Sequence, residues 1–236
     1  LELLQILGIQ LNAPFTAESV KKLPYAHLMA MTDQDVDGSH IMGLLFNLID
    51  ACAPTLLAHK SDYLKRFATS LIRVSCGREE FGFYSQSEYD LWLAARRADG
   101  APVGTAKYFK GLGTSSAEQA RSYFRNLRAN TITMVHGPGC ADALDLAFNK
   151  KRADDRKAFL TSRCDPDAHV DYSRERTTVT DFVHNELLPQ YALASLRRAI
   201  PSLDGFKEAH RKVFFGARSL KLTSDISVAN AAGKIS

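Results

Sequence analysis

Apolar positions open the chain at helical spacing. Leu1 to Leu11 sets Leu3, Leu4, Ile6, Leu7 and Ile9 along a helix, and the turn Asn12-Ala-Pro-Phe15 ends it. Thr16 or Ser19 can cap a short helix that closes near Lys22. Leu28 to Met31 is then a short unbroken apolar run, the pattern of a strand buried on both faces. From Thr32 the polarity reverses abruptly: Thr-Asp-Gln-Asp-Val-Asp-Gly-Ser-His40. Apolar residues return at helical spacing with Ile41, Leu44, Leu45, Leu48 and Ile49, in a helix ending near Pro54. The pattern predicts strand, acidic turn and helix, with Gly38 allowing a tight turn and Ser39 capping the helix. In open α/β sheets the carboxyl edge of the strands is where sites form.

Strand and helix patterns alternate further on. Phe67 to Ser75 and Glu80 to Tyr84 read as strands joined by the turn Cys76-Gly-Arg78, and Ser87 begins a helix to Arg97. Val103 to Lys110 reads as a strand leading into Gly111-Leu-Gly-Thr-Ser-Ser116, where Ser115 or Ser116 caps the next helix. Thr131 to Val135 reads as a strand, and Ala141 to Phe148 as a helix leading into Lys150-Lys-Arg152. Asp154, Asp155, Arg156 and Lys157 fall on a helix through Leu160. Thr161 to Arg176 is polar, as a linker would be, and Thr180 or Asp181 caps a helix to Leu187. Glu208 to Leu220 reads as a helix with Val213, Phe214 and Phe215 as its apolar face. The alternating patterns predict an α/β fold followed by mainly helical segments.

The acidic turn carries the chemistry. Asp33, Asp35 and Asp37, two residues apart on an extended turn, would converge. Two like charges at ~4 Å repel by about 4 kcal/mol at an effective dielectric of ~20. A hard divalent cation offsets that repulsion, and Mg²⁺ suits one or two carboxylates with phosphate and water. A plain solvated acidic turn is the alternative. An EF-hand loop starting at Asp33 needs glutamate at its twelfth position, where Leu44 stands. A phosphatase of the D-x-D-x-Thr type wants threonine or valine where Asp37 stands.

Composition narrows the classes. No apolar run approaches the ~20 residues of a membrane span, and no signal peptide is visible. Cys52, Cys76, Cys140 and Cys164 show no C-x-x-C spacing, which argues for free thiols in a reducing compartment over zinc. Residues 1–145 carry 14 Lys/Arg against 15 Asp/Glu, whereas 146–236 carry 16 against 11. An acidic half followed by a basic half suits a polyanion that must reach a metal. The sequence opens without methionine and inside an apolar pattern, as a segment of a longer protein would.

Four ordered segments resemble type IIA DNA topoisomerases. Met31 to His40 resembles the metal motif of the TOPRIM domain in that family. Lys107-Tyr-Phe-Lys-Gly-Leu-Gly-Thr-Ser115 is similar to its K-Y-Y-K-G-L-G-T-S segment. Phe148-Asn-Lys-Lys-Arg-Ala-Asp-Asp-Arg-Lys157 is similar to its F-x-K-K-x-x-D-D-R-K, and Ile200 to Lys207 with His210-Arg-Lys212 to the opening of its winged-helix domain. Thr114 and the D-D-R-K segment lean toward the eukaryotic type over bacterial gyrase. The resemblance implies a Rossmann-like TOPRIM domain, a parallel sheet flanked by helices, over 1–145 with its metal core at 23–67, a basic helical linker over 146–195, and the start of a winged-helix domain over 196–236.

The same resemblance implies a function. The family cuts both DNA strands by tyrosine attack, passes a second duplex through the gap and reseals it, hydrolysing ATP in a separate domain. It implies Asp33 and Asp35 as direct Mg²⁺ ligands, with Asp37 tuning the site. It implies Arg156, Lys157 and Lys207 as DNA contacts, and Lys110, Gly111 and Gly113 as supporting residues. Double-stranded DNA, a homodimer in the intact protein and the nucleus are the implied partners and location. Two parts of the family's machinery do not occur in these residues. There is no E-G-D-S-A segment with its metal glutamate, and none of the eight tyrosines follows arginine as the family's nucleophile does. The segment alone is expected not to cleave DNA. The family's D-G-L-K-P reads Asp204-Gly-Phe-Lys-Glu208 here, and Thr69-Ser-Leu71 lacks its proline. The alternatives are a TOPRIM-fold binding module without turnover, or a TOPRIM nuclease or primase. The latter would need no K-G-L-G-T or D-D-R-K segment.

Overall fold

The structure, a computed structural model, describes residues 2–235 except 12, 110–112, 114, 163, 164, 166, 167, 169 and 173. The chain divides into two units, Leu1–Tyr191 and Ala192–Ser236.

The first unit is built around a four-stranded mixed sheet in the order β1 (Leu28–Ala30), β2 (Leu64–Phe67), β6 (Thr131–Val135) and β7 (Arg176–Thr178). β1 and β2 run parallel, joined by the crossover of α3 (Val36–Cys52) and α4 (Pro54–His59). β6 runs antiparallel to β2, and β7 parallel to β6. The sheet is therefore mixed, where the family resemblance implied a parallel one. A second sheet, antiparallel, orders β4 (Glu79–Phe83), β3 (Ile72–Cys76) and β5 (Thr105–Tyr108). The strand expected over Phe67–Ser75 is found as β3, shifted to Ile72–Cys76, and β2 before it was not anticipated. β2 ends at Phe67, and the chain crosses at 68–71 into the other sheet.

Local signals explain much of the rest. α1 (Glu2–Ile6) is short, and Thr16 caps α2 (Ala17–Val20) in a reciprocal box with Ser19. Ser85 caps α5 (Gln86–Ala98), and Ser116 caps α6 (Ala117–Arg125) in a box with Gln119. α7 (Cys140–Phe148) starts at Gly139, whose φ of 84° lies in the left-handed region open to glycine. A short 3₁₀ turn at Lys150–Arg152 leads into α8 (Ala153–Ser162).

The core lies between the mixed sheet and its helices. α3 contributes Met42, Phe46 and Ile49, packed with Leu56, Leu57, Leu64, Met134, Leu144 and Phe182. Ile41, Leu44 and Leu48, expected on the buried face of α3, are exposed. Glycine decides which side packs. A side chain at Gly43 would come within 2.9 Å of Leu187 and 3.1 Å of Phe148, so the bare backbone face is the one pressed inward.

The segment expected to be a linker, 146–195, packs within the first unit as far as Tyr191. β7 extends the sheet, and α9 (Val179–Phe182) with a π-helix (Val183–Ala192) buries Val179, Phe182, Val183 and Leu187. Pro189 sits inside this π-helix. It lacks an N–H, and widened turns accommodate such a gap.

The second unit holds α10 (Leu193–Arg198), α11 (Glu208–Ser219) and α12 (Val228–Ile235). Asp204 receives two hydrogen bonds from the Arg211 guanidinium, at 2.8 and 2.9 Å, and one from the Phe206 amide. The Arg211 hydrogen bonds, then that amide, hold the Asp204 carboxyl at a pKa of about 2. Val213, Phe214 and Phe215 are exposed here. Among the described residues no helix is long and apolar enough to cross a membrane.

Candidate metal and DNA-facing site

The acidic turn leaves the carboxyl end of β1 and runs into α3, as its sequence predicts. Asp35 caps the helix, where Ser39 was expected to. Its backbone is extended, at φ −116° and ψ 176°, and its carboxylate accepts the Gly38 amide at 2.7 Å. The negative charge also complements the positive end of the helix. Gly38 is needed for close approach: an added Cβ would lie 2.0 Å from the Asp33 carbonyl oxygen.

Asp33, Asp35 and Asp37 are all exposed. Their expected convergence is not seen. Among the described residues, no three His, Cys, Asp or Glu side chains gather into a metal-holding group. Asp37 lies in the first turn of α3, where helical geometry rotates successive residues by about 100°, so extended-turn spacing no longer applies. The remaining donors still suit a hard cation. Magnesium takes one or two carboxylates and completes its shell with water. Capping occupies one oxygen of Asp35 and leaves the other as a donor. Asp33 and Asp35 are the residues that fit such an ion.

Behind the turn lies a buried polar network that the sequence did not reveal. Arg66 on β2 is 2% exposed, Ser39 3% and Glu186 of the π-helix 4%. The Arg66 Nη1 donates to Glu186 Oε1 at 2.8 Å, and the Ser39 hydroxyl donates to the same oxygen. The Tyr172 hydroxyl donates to Glu186 Oε2 and accepts from Arg66, whose guanidinium lies 4.8 Å from the Tyr172 ring centroid. Burial opposes the charge on Arg66, but Glu186 and Tyr172 outweigh it and raise its pKa. Burial also pushes the Tyr172 hydroxyl well above its ordinary value, so it remains a donor at neutral pH. A charged residue inside a strand pattern, as in Leu64-Lys-Arg-Phe67, was the one signal available in sequence. Beside the network, His40 stacks on Tyr191 with ring centroids 3.8 Å apart, and burial lowers its pKa against the pull of Asp37.

The basic residues separate into different roles. Arg156 on α8 donates to the carbonyls of Leu146 and Asn149 at 2.9 and 2.7 Å, closing the carboxyl end of α7. Asp155 pairs with Arg152, which also reaches Asp142 and Asp145. Lys157 is exposed, and Lys207, in the second unit, is exposed where α11 begins. Of the supporting residues, Lys110 and Gly111 lie outside the described residues, and Gly113 is exposed.

The fold and turn define a class, α/β proteins with a carboxylate-bearing turn between a sheet strand and its crossover helix. Within that class, the chain belongs to the TOPRIM_C family, the C-terminal associated domain of TOPRIM, which it matches over residues 67–195. DNA topoisomerase 2 of Candida albicans is 39% identical over 98% of this chain, and human DNA topoisomerase 2-beta 36% identical over 99%. Those alignments occupy 16% and 15% of the two relatives, so the chain spans about a sixth of the curated relatives it matches. The crystal structure of the DNA-binding, cleavage and re-ligation domain of Plasmodium falciparum topoisomerase II superposes with a TM-score of 0.75. It is 34% identical, and the match covers 99% of this chain and 31% of that one.

Proposed function

We propose that this chain is part of an ATP-dependent type II DNA topoisomerase. Such an enzyme makes a transient double-strand break, passes a second duplex and religates. The observation that carries the reading is the acidic turn, intact at the carboxyl end of β1, in a chain similar over nearly all its length to DNA topoisomerase 2. In this reading residues 1–145 are TOPRIM and 196–236 open a winged-helix domain. ATP is bound outside this chain, and the intact protein works as a homodimer on double-stranded DNA in the nucleus.

Asp33 and Asp35 would hold Mg²⁺, with Asp37 adjusting the local charge. The ion, when bound, supplies Lewis-acid charge to the scissile phosphate. Lys157 and Lys207 would hold the duplex by its backbone, which orients DNA without reading sequence, and Arg156, bound to the carbonyls that end α7, would brace the helix carrying Lys157. Lys110, Gly111 and Gly113 would support the site from the G-L-G-T segment of the sequence.

Because Asp35 also caps α3, the informative substitution is Asp35→Asn in the full-length protein. Asparagine caps as well as aspartate does but is a poorer metal ligand. Mg²⁺-dependent cleavage of plasmid DNA at limiting Mg²⁺ should fall by at least roughly 100-fold, the upper end of what losing even an outer partner of a metal site costs. The melting temperature should hold. Unchanged cleavage would leave Asp35 as a helix cap alone and remove the metal reading.

A further inference from the structure

Glu186 reaches the end of the acidic turn through Ser39 and lies, with Tyr172, across a shared cavity from its start at Gln34. One carboxylate oxygen accepts from Ser39, just past the turn in α3. The other accepts from Tyr172, which lines the same cavity as Gln34 of the turn. Gln34 and Ser39 bracket Asp35 and Asp37 in sequence. A single buried carboxylate therefore fixes the segment that carries them.

A cavity of about 330 Å³ lies at this junction, lined by Gln34, Asp35, Ser39, Arg66, Tyr172 and Glu186. The Gln34 Oε1 is buried there without a hydrogen-bond partner. Stability alone does not account for such a network, since well-packed apolar residues often serve a core as well as a buried ion pair does. Its position does. Glu186 is carried on a π-helix, a form that appears disproportionately at functional sites.

We infer that Glu186 is a positioning residue for the acidic turn, acting through Ser39 and Tyr172 and compensated by Arg66. This rests on the reading of that turn as the magnesium-holding segment. The network fixes where Asp33 and Asp35 stand before an ion arrives, so the ion need not order the turn. Loosening it raises the Mg²⁺ concentration the enzyme requires and leaves the rate at saturating Mg²⁺ in place.

The test uses the full-length protein with Tyr172→Phe, which keeps the ring over Arg66, and Ser39→Ala. Both avoid stranding the buried guanidinium, as Glu186→Ala would. Two quantities are read. One is amide hydrogen exchange over residues 33–40 in metal-free protein. The other is the Mg²⁺ concentration giving half-maximal plasmid cleavage. Both variants should exchange faster in the turn and require about tenfold more Mg²⁺. Maximal cleavage and DNA binding in EDTA should match the parent. A shift in one variant alone supports the inference for that end of the turn. Unchanged turn exchange and Mg²⁺ requirement in both variants, with only a lower melting temperature, overturns it and leaves a core ion pair. Asp35→Asn, run alongside, tells this failure from failure of the underlying reading, because it then leaves cleavage intact while turn exchange still reports on the network.

Discussion

At the scale of single residues, two glycines in the family-like segments differ in what they do. Gly38 is buried, and a Cβ there would meet the Asp33 carbonyl oxygen at 2.0 Å, a backbone atom that cannot swing aside. Gly113 has nothing within 4 Å of an added Cβ. Gly38→Ala should therefore destabilise the chain by about 1–3 kcal/mol, the usual cost of overpacking. Gly113→Ala should stay within roughly 0.5 kcal/mol, as exposed substitutions do. Urea denaturation of the two variants measures both, and equal midpoints would show that the turn yields more readily than its geometry implies.

At the scale of elements, α7 and α8 show how neighbouring cations divide the work. Arg156 closes the carboxyl end of α7, while Lys157 faces solvent one residue later. On this helix the alternative to DNA contact is ion pairing with Asp154 and Asp155. Arg156 instead binds backbone carbonyls, and Asp155 belongs to Arg152. Lys157→Gln in the full-length protein should weaken binding to all duplexes alike. It should flatten the slope of log K against log salt by about 0.9 per lost phosphate contact, with little change in melting. Arg156→Gln should cost roughly 1.5–3 kcal/mol in stability, the range for losing hydrogen bonds from a charged donor. Filter binding over a salt series with thermal melts of both variants separates the roles, and an unchanged slope for Lys157→Gln would count against its phosphate contact.

At the scale of the whole molecule, the two units differ in what holds them. The first buries a continuous core from Leu4 to Leu188. In the second, α10, α11 and α12 bury no side chain fully among the described residues. Leu203, Phe215 and Val228 are more than two-thirds exposed. Its clearest tie, Asp204 with Arg211, is at the surface, where such pairs contribute little. Unfolding of the 236-residue chain should accordingly occur in two steps, with the second unit lost first. Limited trypsin treatment should cut at Arg197 or Arg198 before it cuts within 28–160. A single transition seen alike by far-ultraviolet dichroism and tyrosine fluorescence would contradict this.

The elements legible in sequence are those whose cause is local. β6 occupies Thr131–Val135 as its pattern predicts, and the caps at Thr16 and Ser116 follow from side chains three residues from their partners. The acidic turn was readable for the same reason, since a glycine, a helix start and three carboxylates all fall within nine residues. What tertiary structure decided depends on distant partners. α3 is apolar nearly all round, so only packing of Leu187 and Phe148 against Gly43 chose its inner face and left Ile41, Leu44 and Leu48 outside. The polar look of 161–176 concealed Tyr172, because its partners are Arg66, 106 residues away, and Glu186 on the π-helix. Ser39 meets Glu186 across 147 residues, and no periodicity within either segment encodes that meeting. Arg66 can be buried only because the fold supplies the Glu186 carboxylate and the Tyr172 hydroxyl to pair with it.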